Sequence, residues 1–146
     1  MMSIKLMKFL YLFLAVCSLI AVLVLIERAT LPETTSAMHT EALTYGEQAG
    51  KSTPPFPFVY DGCTLSPDTL PVLDLRAACL THDIAYWHGG TAAERKQADI
   101  RLKEAVAAQG VFGQIMQYPV YISVRLFGDS LVTKALNAHW GFGYNK

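Results

Sequence analysis

The sequence predicts an all-α fold: an N-terminal transmembrane helix, a tether, and a small helical domain stapled by one disulfide and built on an antiparallel helix pair. Three observations carry this. An uncharged run of 18 residues, Phe9 to Ile26, lies near the start of the 146-residue chain. Two segments with helical spacing of apolar residues are separated by little more than Gly89-Gly90. Beyond residue 30 the chain holds two cysteines, Cys63 and Cys79.

As a helix, the run FLYLFLAVCSLIAVLVLI is ~27 Å long, close to the ~30 Å hydrocarbon core of a bilayer. Lys5 and Lys8 precede it, and only Arg28 follows closely, beside Glu27. The positive-inside rule then puts the N-terminus in the cytoplasm and the remainder in the periplasm or outside the cell. A cleaved signal peptide is the rival reading, but its apolar region is usually ~7–15 residues and ends in a small-x-small site. Residues 1–30 are therefore read as a signal-anchor. In an oxidising compartment an even cysteine count reads as one disulfide. Residues 31–146 carry 9 Lys+Arg against 11 Asp+Glu, a net charge of −2. That balance argues against electrostatic binding to nucleic acid or to an acidic membrane surface.

Residues 31–58 read as a flexible linker, rich in Thr, Ser, Gly, Pro and Glu and without a sustained apolar period. His39 within it is expected to be solvated. The aromatic segment Phe56–Tyr60 is expected to pack on the domain, with contact to lipid as the alternative. Residues 59–146 form the helical domain. It opens with a loop to about Asp68, marked by Asp-Gly and Ser-Pro-Asp. A first helix is expected from about Leu70 to His88, where Leu73, Ala77, Leu80 and Ile84 repeat at helical spacing and Gly89-Gly90 stops it. Thr91 with Glu94 makes a capping box, so a second helix starts at about Ala92 and ends near Gly110. So short a connection makes the two helices antiparallel neighbours. The apolar stretch after Gly110, with Pro119 inside, is expected as a kinked helix or two short ones. The Gly-aromatic tail should wrap over the domain, with His139 and Trp140 packed in it.

The first helix carries the chemistry. Cys79, His82, Asp83 and Tyr86 fall at i, i+3, i+4 and i+7 and so share a face. Asp99, in the returning helix, can come alongside His82 and Tyr86. A His whose second nitrogen is held by a carboxylate is fixed in tautomer and can serve as a general base. A further Asp near a loop of backbone carbonyls suits Ca²⁺, which takes hard oxygen ligands. His88 falls at the helix C-terminus, where a cation suits the dipole, and receives no role. Glu94-Arg95-Lys96 is read as the exposed face of the second helix.

Cys79-Leu-Thr-His82-Asp83-Ile-Ala-Tyr86 resembles the active-site helix of the phospholipase A2 superfamily, Cys-x-x-His-Asp-x-x-Tyr. The short gap to Asp99 is similar to that of its compact prokaryotic and viral members. The resemblance covers roughly residues 59–105. It implies a disulfide between Cys63 and Cys79, His82 as general base, Asp99 as its orienter and Tyr86 as support for Asp99. It further implies calcium on Asp83 and on the carbonyls of Gly62, Thr64 and Ser66. The family's calcium loop is glycine-rich, whereas here only Gly62 of those three is glycine. The expected function is a membrane-anchored, calcium-assisted lipid ester hydrolase acting on phospholipid membranes. The alternative is a catalytically inactive module of the same scaffold, serving as a structural or interaction domain in the cell envelope.

Overall fold

A computed structural model describes Ser18 and residues 34–64, 66–70, 72–136 and 138–144. The expected membrane anchor, but for Ser18, lies outside them. Among the described residues no helix is long and apolar enough to cross a membrane. The described chain is mostly helical: α1 (Ser36–Gln48), a two-residue pairing of β1 (Thr69–Leu70) with β2 (Leu73–Asp74), then α2 (Arg76–His88), α3 (Ala92–Ala107), α4 (Val111–Phe127) and α5 (Leu131–Ala135).

The expected tether is corrected by α1. Thr35 caps it by accepting from Met38 N at 3.2 Å. The helix packs through small residues. Ala42 and Gly46 are its buried positions, and a Cβ on Gly46 would collide with the His88 ring. His88 Nε2 donates to the Ala42 carbonyl at 2.8 Å. His88 is the last residue of its helix, as expected, and is buried; His39, expected to be solvated, lies half-buried beside Trp87. Phe58 and Tyr60 are also buried, in a cluster with Ile84, Tyr86, Trp87 and Phe142, so Phe58 and Tyr60 belong to the core and not to a lipid contact.

The first domain helix begins at Arg76, six residues later than the periodicity suggested. Leu70 precedes a proline, which biases it toward extended backbone. Thr69–Leu70 pairs antiparallel with Leu73–Asp74, and Leu75 N returns to Asp68 O at 2.8 Å. Asp74 Oδ1 then accepts from Arg76 N at 3.1 Å, at the start of α2.

The antiparallel α2–α3 pair is present. Gly89 and Gly90 take φ of 59° and 131°, values that β-carbon-bearing residues rarely adopt, and this lets the chain reverse at once. The capping box forms as expected, with Thr91 Oγ1 accepting from Glu94 N and Glu94 accepting from Thr91 N. Lys51 closes over the turn, 2.7 Å from Gly89 O and 2.8 Å from Glu94 Oε1. α4 runs unbroken through Pro119 and lies along α3, with Gly113 seated on the Val106 carbonyl. The tail wraps over the C-terminal end of α2: Gly141 N donates to Tyr86 O at 2.7 Å and Gly143 N to Trp87 O at 3.1 Å. These bonds satisfy carbonyls that a helix end otherwise leaves unpaired.

Candidate active site

Cys79, His82, Asp83 and Tyr86 fall on one face of α2, as their spacing requires. Cys79 is bonded to Cys63 across a Cα–Cα distance of 5.3 Å, which pins the 61–68 loop against that face. Cys63 N donates to Asp68 Oδ1 at 2.7 Å, Ser66 N to Cys63 O at 2.8 Å, and the Thr64 hydroxyl to Asp61 Oδ1 at 3.1 Å. Gly62 turns the loop with φ of 75°.

Asp99, on α3, has no exposed surface, and it accepts three hydrogen bonds. His82 Nε2 lies 3.0 Å and the Tyr86 hydroxyl 2.8 Å from Oδ1; Arg125 Nη1 lies 2.7 Å from Oδ2. Burial alone would raise the Asp99 pKa, but bonds from His82, Arg125 and Tyr86 outweigh it and hold the carboxyl below the usual carboxylate range. An ionised carboxylate only accepts, so Nε2 must carry the hydrogen on the His82 ring. Nδ1 is left on the other side, 3.9 Å from Asp83 Oδ1. That separation is an ion-pair distance and too long for a hydrogen bond. Burial opposes charge on His82, yet Asp83 and Asp99 together raise its pKa.

Arg125 went unread in the sequence, and Arg95 was expected on an exposed face. Arg125 comes from the far end of α4, 26 residues from its partner. Arg95 is half-buried and not part of a solvated face. It reaches the Val124 and Arg125 carbonyls at 3.3 and 3.2 Å, with Nε a long 3.4 Å from the Tyr86 hydroxyl. The run of adjacent charges around Arg95 hid this role, because only the facing helix decides which member turns inward.

A cavity of about 380 Å³ opens on this face. Thr64, Ser66, His82 and Asp83 are among its polar lining, and Leu75, Leu102, Met116, Val120, Val124 and Phe127 among its apolar lining. A larger, more open groove of about 650 Å³ lies between α1 and α2, away from His82 and Asp83. We take the smaller cavity as the site because titratable groups converge there and in the groove they do not.

Asp83 decides whether calcium suits the site. Its Oδ2 is buried and has no hydrogen-bond partner among the described residues. Burial, with the negative fields of Asp61 and Asp68, outweighs His82 and pushes its pKa up to about 7. A cation beside Oδ2 relieves both penalties. Among the described residues no three His, Cys, Asp or Glu side chains gather as a metal-holding group. A site there thus needs backbone oxygens beside Asp83, and Thr64 and Ser66 of the pinned loop line the same cavity. One carboxylate with carbonyl oxygens is a calcium-type donor set, and these residues fit it. No family model, curated protein or solved structure matches the chain.

Proposed function

We propose that this protein is a phospholipase A2-like lipid ester hydrolase, held at a membrane by residues 9–26 with its domain on the outer side. One observation carries the reading: a His fixed by a buried carboxylate on one nitrogen has its other nitrogen 3.9 Å from Asp83, an unsatisfied carboxylate, and both residues line one largely apolar cavity of about 380 Å³.

The residues divide the work as follows. Asp99 fixes the His82 tautomer with the lone pair on Nδ1 and stabilises the imidazolium as it forms. Nδ1 takes a proton from water as the water oxygen bonds to the ester carbonyl carbon. The same proton is then given to the departing alkoxide oxygen as the ester C–O bond breaks. Tyr86 and Arg125 hold Asp99 in place. Leu75, Leu102, Val120 and their neighbours receive the acyl chain and exclude bulk water. Calcium, held by Asp83 with carbonyls of Gly62, Thr64 and Ser66, would supply positive charge to the developing oxyanion.

The test is fatty-acid release from phospholipid vesicles carrying the full-length chain and calcium. His82→Gln should lower the rate ~10²–10⁴-fold, the usual cost of removing a positioned base. Unchanged activity in that variant, or no hydrolysis of zwitterionic and anionic lipids by folded wild-type protein, would sink the proposal. The inactive-module reading has one observation in its favour: Thr64 and Ser66 stand where flexible glycines would help carbonyls turn onto a metal. Calorimetric calcium binding that Asp83→Asn abolishes favours the enzyme over the module.

A further inference from the structure

The outer face of the chain beyond Gly110 has no partner among the described residues. Thirteen large apolar side chains are exposed among the described residues, and ten of them lie between Val111 and Leu136. On α4 they are ordered. Val111, Ile115, Tyr118, Ile122 and Leu126 are 53–77 % exposed. At about 100° per residue they form a stripe about 80° wide. The opposite face of the same helix is equally apolar: Met116, Val120 and Val124 pack against the core. Gln114, Gln117 and Arg125 fall on one arc between these two apolar faces, so the helix is apolar on two opposite sides and only the inner one is covered among the described residues. Its single charged residue, Arg125, is already engaged by Asp99. Leu131, Val132 and Leu136 extend the apolar surface onto and just beyond α5. Patches of this kind mark interaction sites.

We propose that the α4–α5 face lies on the bilayer surface and passes lipid directly to the His82 cavity. Two features select a bilayer over other occupants. The first is reach. Only seven residues, 27–33, separate the uncharged run ending at Ile26 from the described domain, so Thr34 stands at most about 29 Å from the end of that run. The second is continuity. Phe127, which is itself exposed, and Pro119 and Ser123 line the His82 cavity from the same helix that carries the stripe. The inference rests on the lipid reading above for its purpose, but its binding test needs no turnover.

The test uses the full chain reconstituted in phosphatidylcholine vesicles, in a Cys17→Ser background. Nitroxides are placed through Ile115→Cys, Ile122→Cys and Leu126→Cys, with Glu47→Cys on α1 as the aqueous control. The three α4 labels should be relaxed by oxygen and shielded from a water-soluble nickel chelate, and the control should show the reverse. Chelate access at α4 overturns the proposal. So does spin–spin broadening between copies, which assigns the face to a second chain. Shielding from both reagents also overturns it, because a protein segment then covers the stripe. Separately, Ile115→Asp with Ile122→Asp should lower vesicle hydrolysis by more than about tenfold, and leave hydrolysis of a dispersed short-chain ester unchanged. Equal loss on both substrates, with folding intact by circular dichroism, counts against docking. If wild-type protein hydrolyses neither substrate, the catalytic reading fails while the label result still decides the docking surface.

Discussion

Asp99 and Asp83 flank the His82 ring, 3.0 Å from Nε2 and 3.9 Å from Nδ1, and the fold treats them in opposite ways. Asp99 receives donors from α2 and from α4 and is held ionised. Asp83 keeps one buried oxygen without a donor and is pushed up to about 7. The first side is finished by protein alone. On the second, no cationic side chain among the described residues comes within ion-pair distance of Asp83 other than His82 at 3.9 Å. A structural ion pair would be closed on both sides; this asymmetry is what the proposed site rests on.

The contrast is sharpest under substitution. Asp99→Ala should cost the most, about 3–5 kcal/mol, because it strands the His82, Tyr86 and Arg125 donors around a buried gap. Denaturant unfolding of the calcium-free protein measures it; a loss under about 1 kcal/mol would mean that the closed side is not what holds α4 to α2. Next in size is the disulfide. Reducing Cys63–Cys79, 16 residues apart, should remove about 3 kcal/mol in the chain-entropy model, and should weaken calcium binding by freeing the 61–68 loop. Binding unaltered by reduction would separate the loop from the metal.

A smaller effect comes from protons. Asp83 is raised from 3.8 to about 7 in the folded chain, so the folded state gains relative stability when it is protonated. For this group the contribution is complete below about pH 4 and is lost as pH rises toward 7. Calcium-free protein should therefore unfold more easily at pH 8 than at pH 5, less so in Asp83→Asn, and added calcium should reverse the loss. A pH profile identical in wild type and Asp83→Asn would show that the carboxylate is not under this penalty. The mildest change concerns the helix that presents Asp99. Thr91→Ala removes the α3 cap and should cost about 1 kcal/mol by thermal unfolding. It should leave calcium affinity alone, since Asp83 sits on the other helix.

Parts of this were legible because they obey local periodicity. Cys79, His82, Asp83 and Tyr86 had to share a face once α2 was a helix, and Thr91 with Glu94 announced α3. Asp99 followed from the shortness of the Gly89-Gly90 turn. Other parts obey no local rule. α1 packs through Ala42 and Gly46, and small residues register weakly in any apolar pattern. The β1–β2 pairing displaced the start of α2, since two residues per strand are too few to show alternation. Arg125 sits in a helix with two opposite apolar faces, and the sequence does not tell the covered one from the uncovered one. The burial of His88 depends on the same α1 that periodicity did not reveal.

The bonds from Gly141 and Gly143 to the end of α2 bear on how the chain is made. During synthesis His82 leaves the ribosome some sixty residues before those glycines do. Until they arrive, the last carbonyls of α2 must be hydrated, and Trp87 lacks the backbone that later covers it. The nascent chain therefore holds a helix pair with its turn end unsealed, and the seal is a late event. Release of a ribosome stalled between Asp99 and Gly141 would yield a chain with both halves of the His82–Asp99 pair and no lock on them. Proteolysis of such arrested chains, compared with released full-length protein, would show cutting near Gly89-Gly90 that disappears once residues 138–144 are free to fold back.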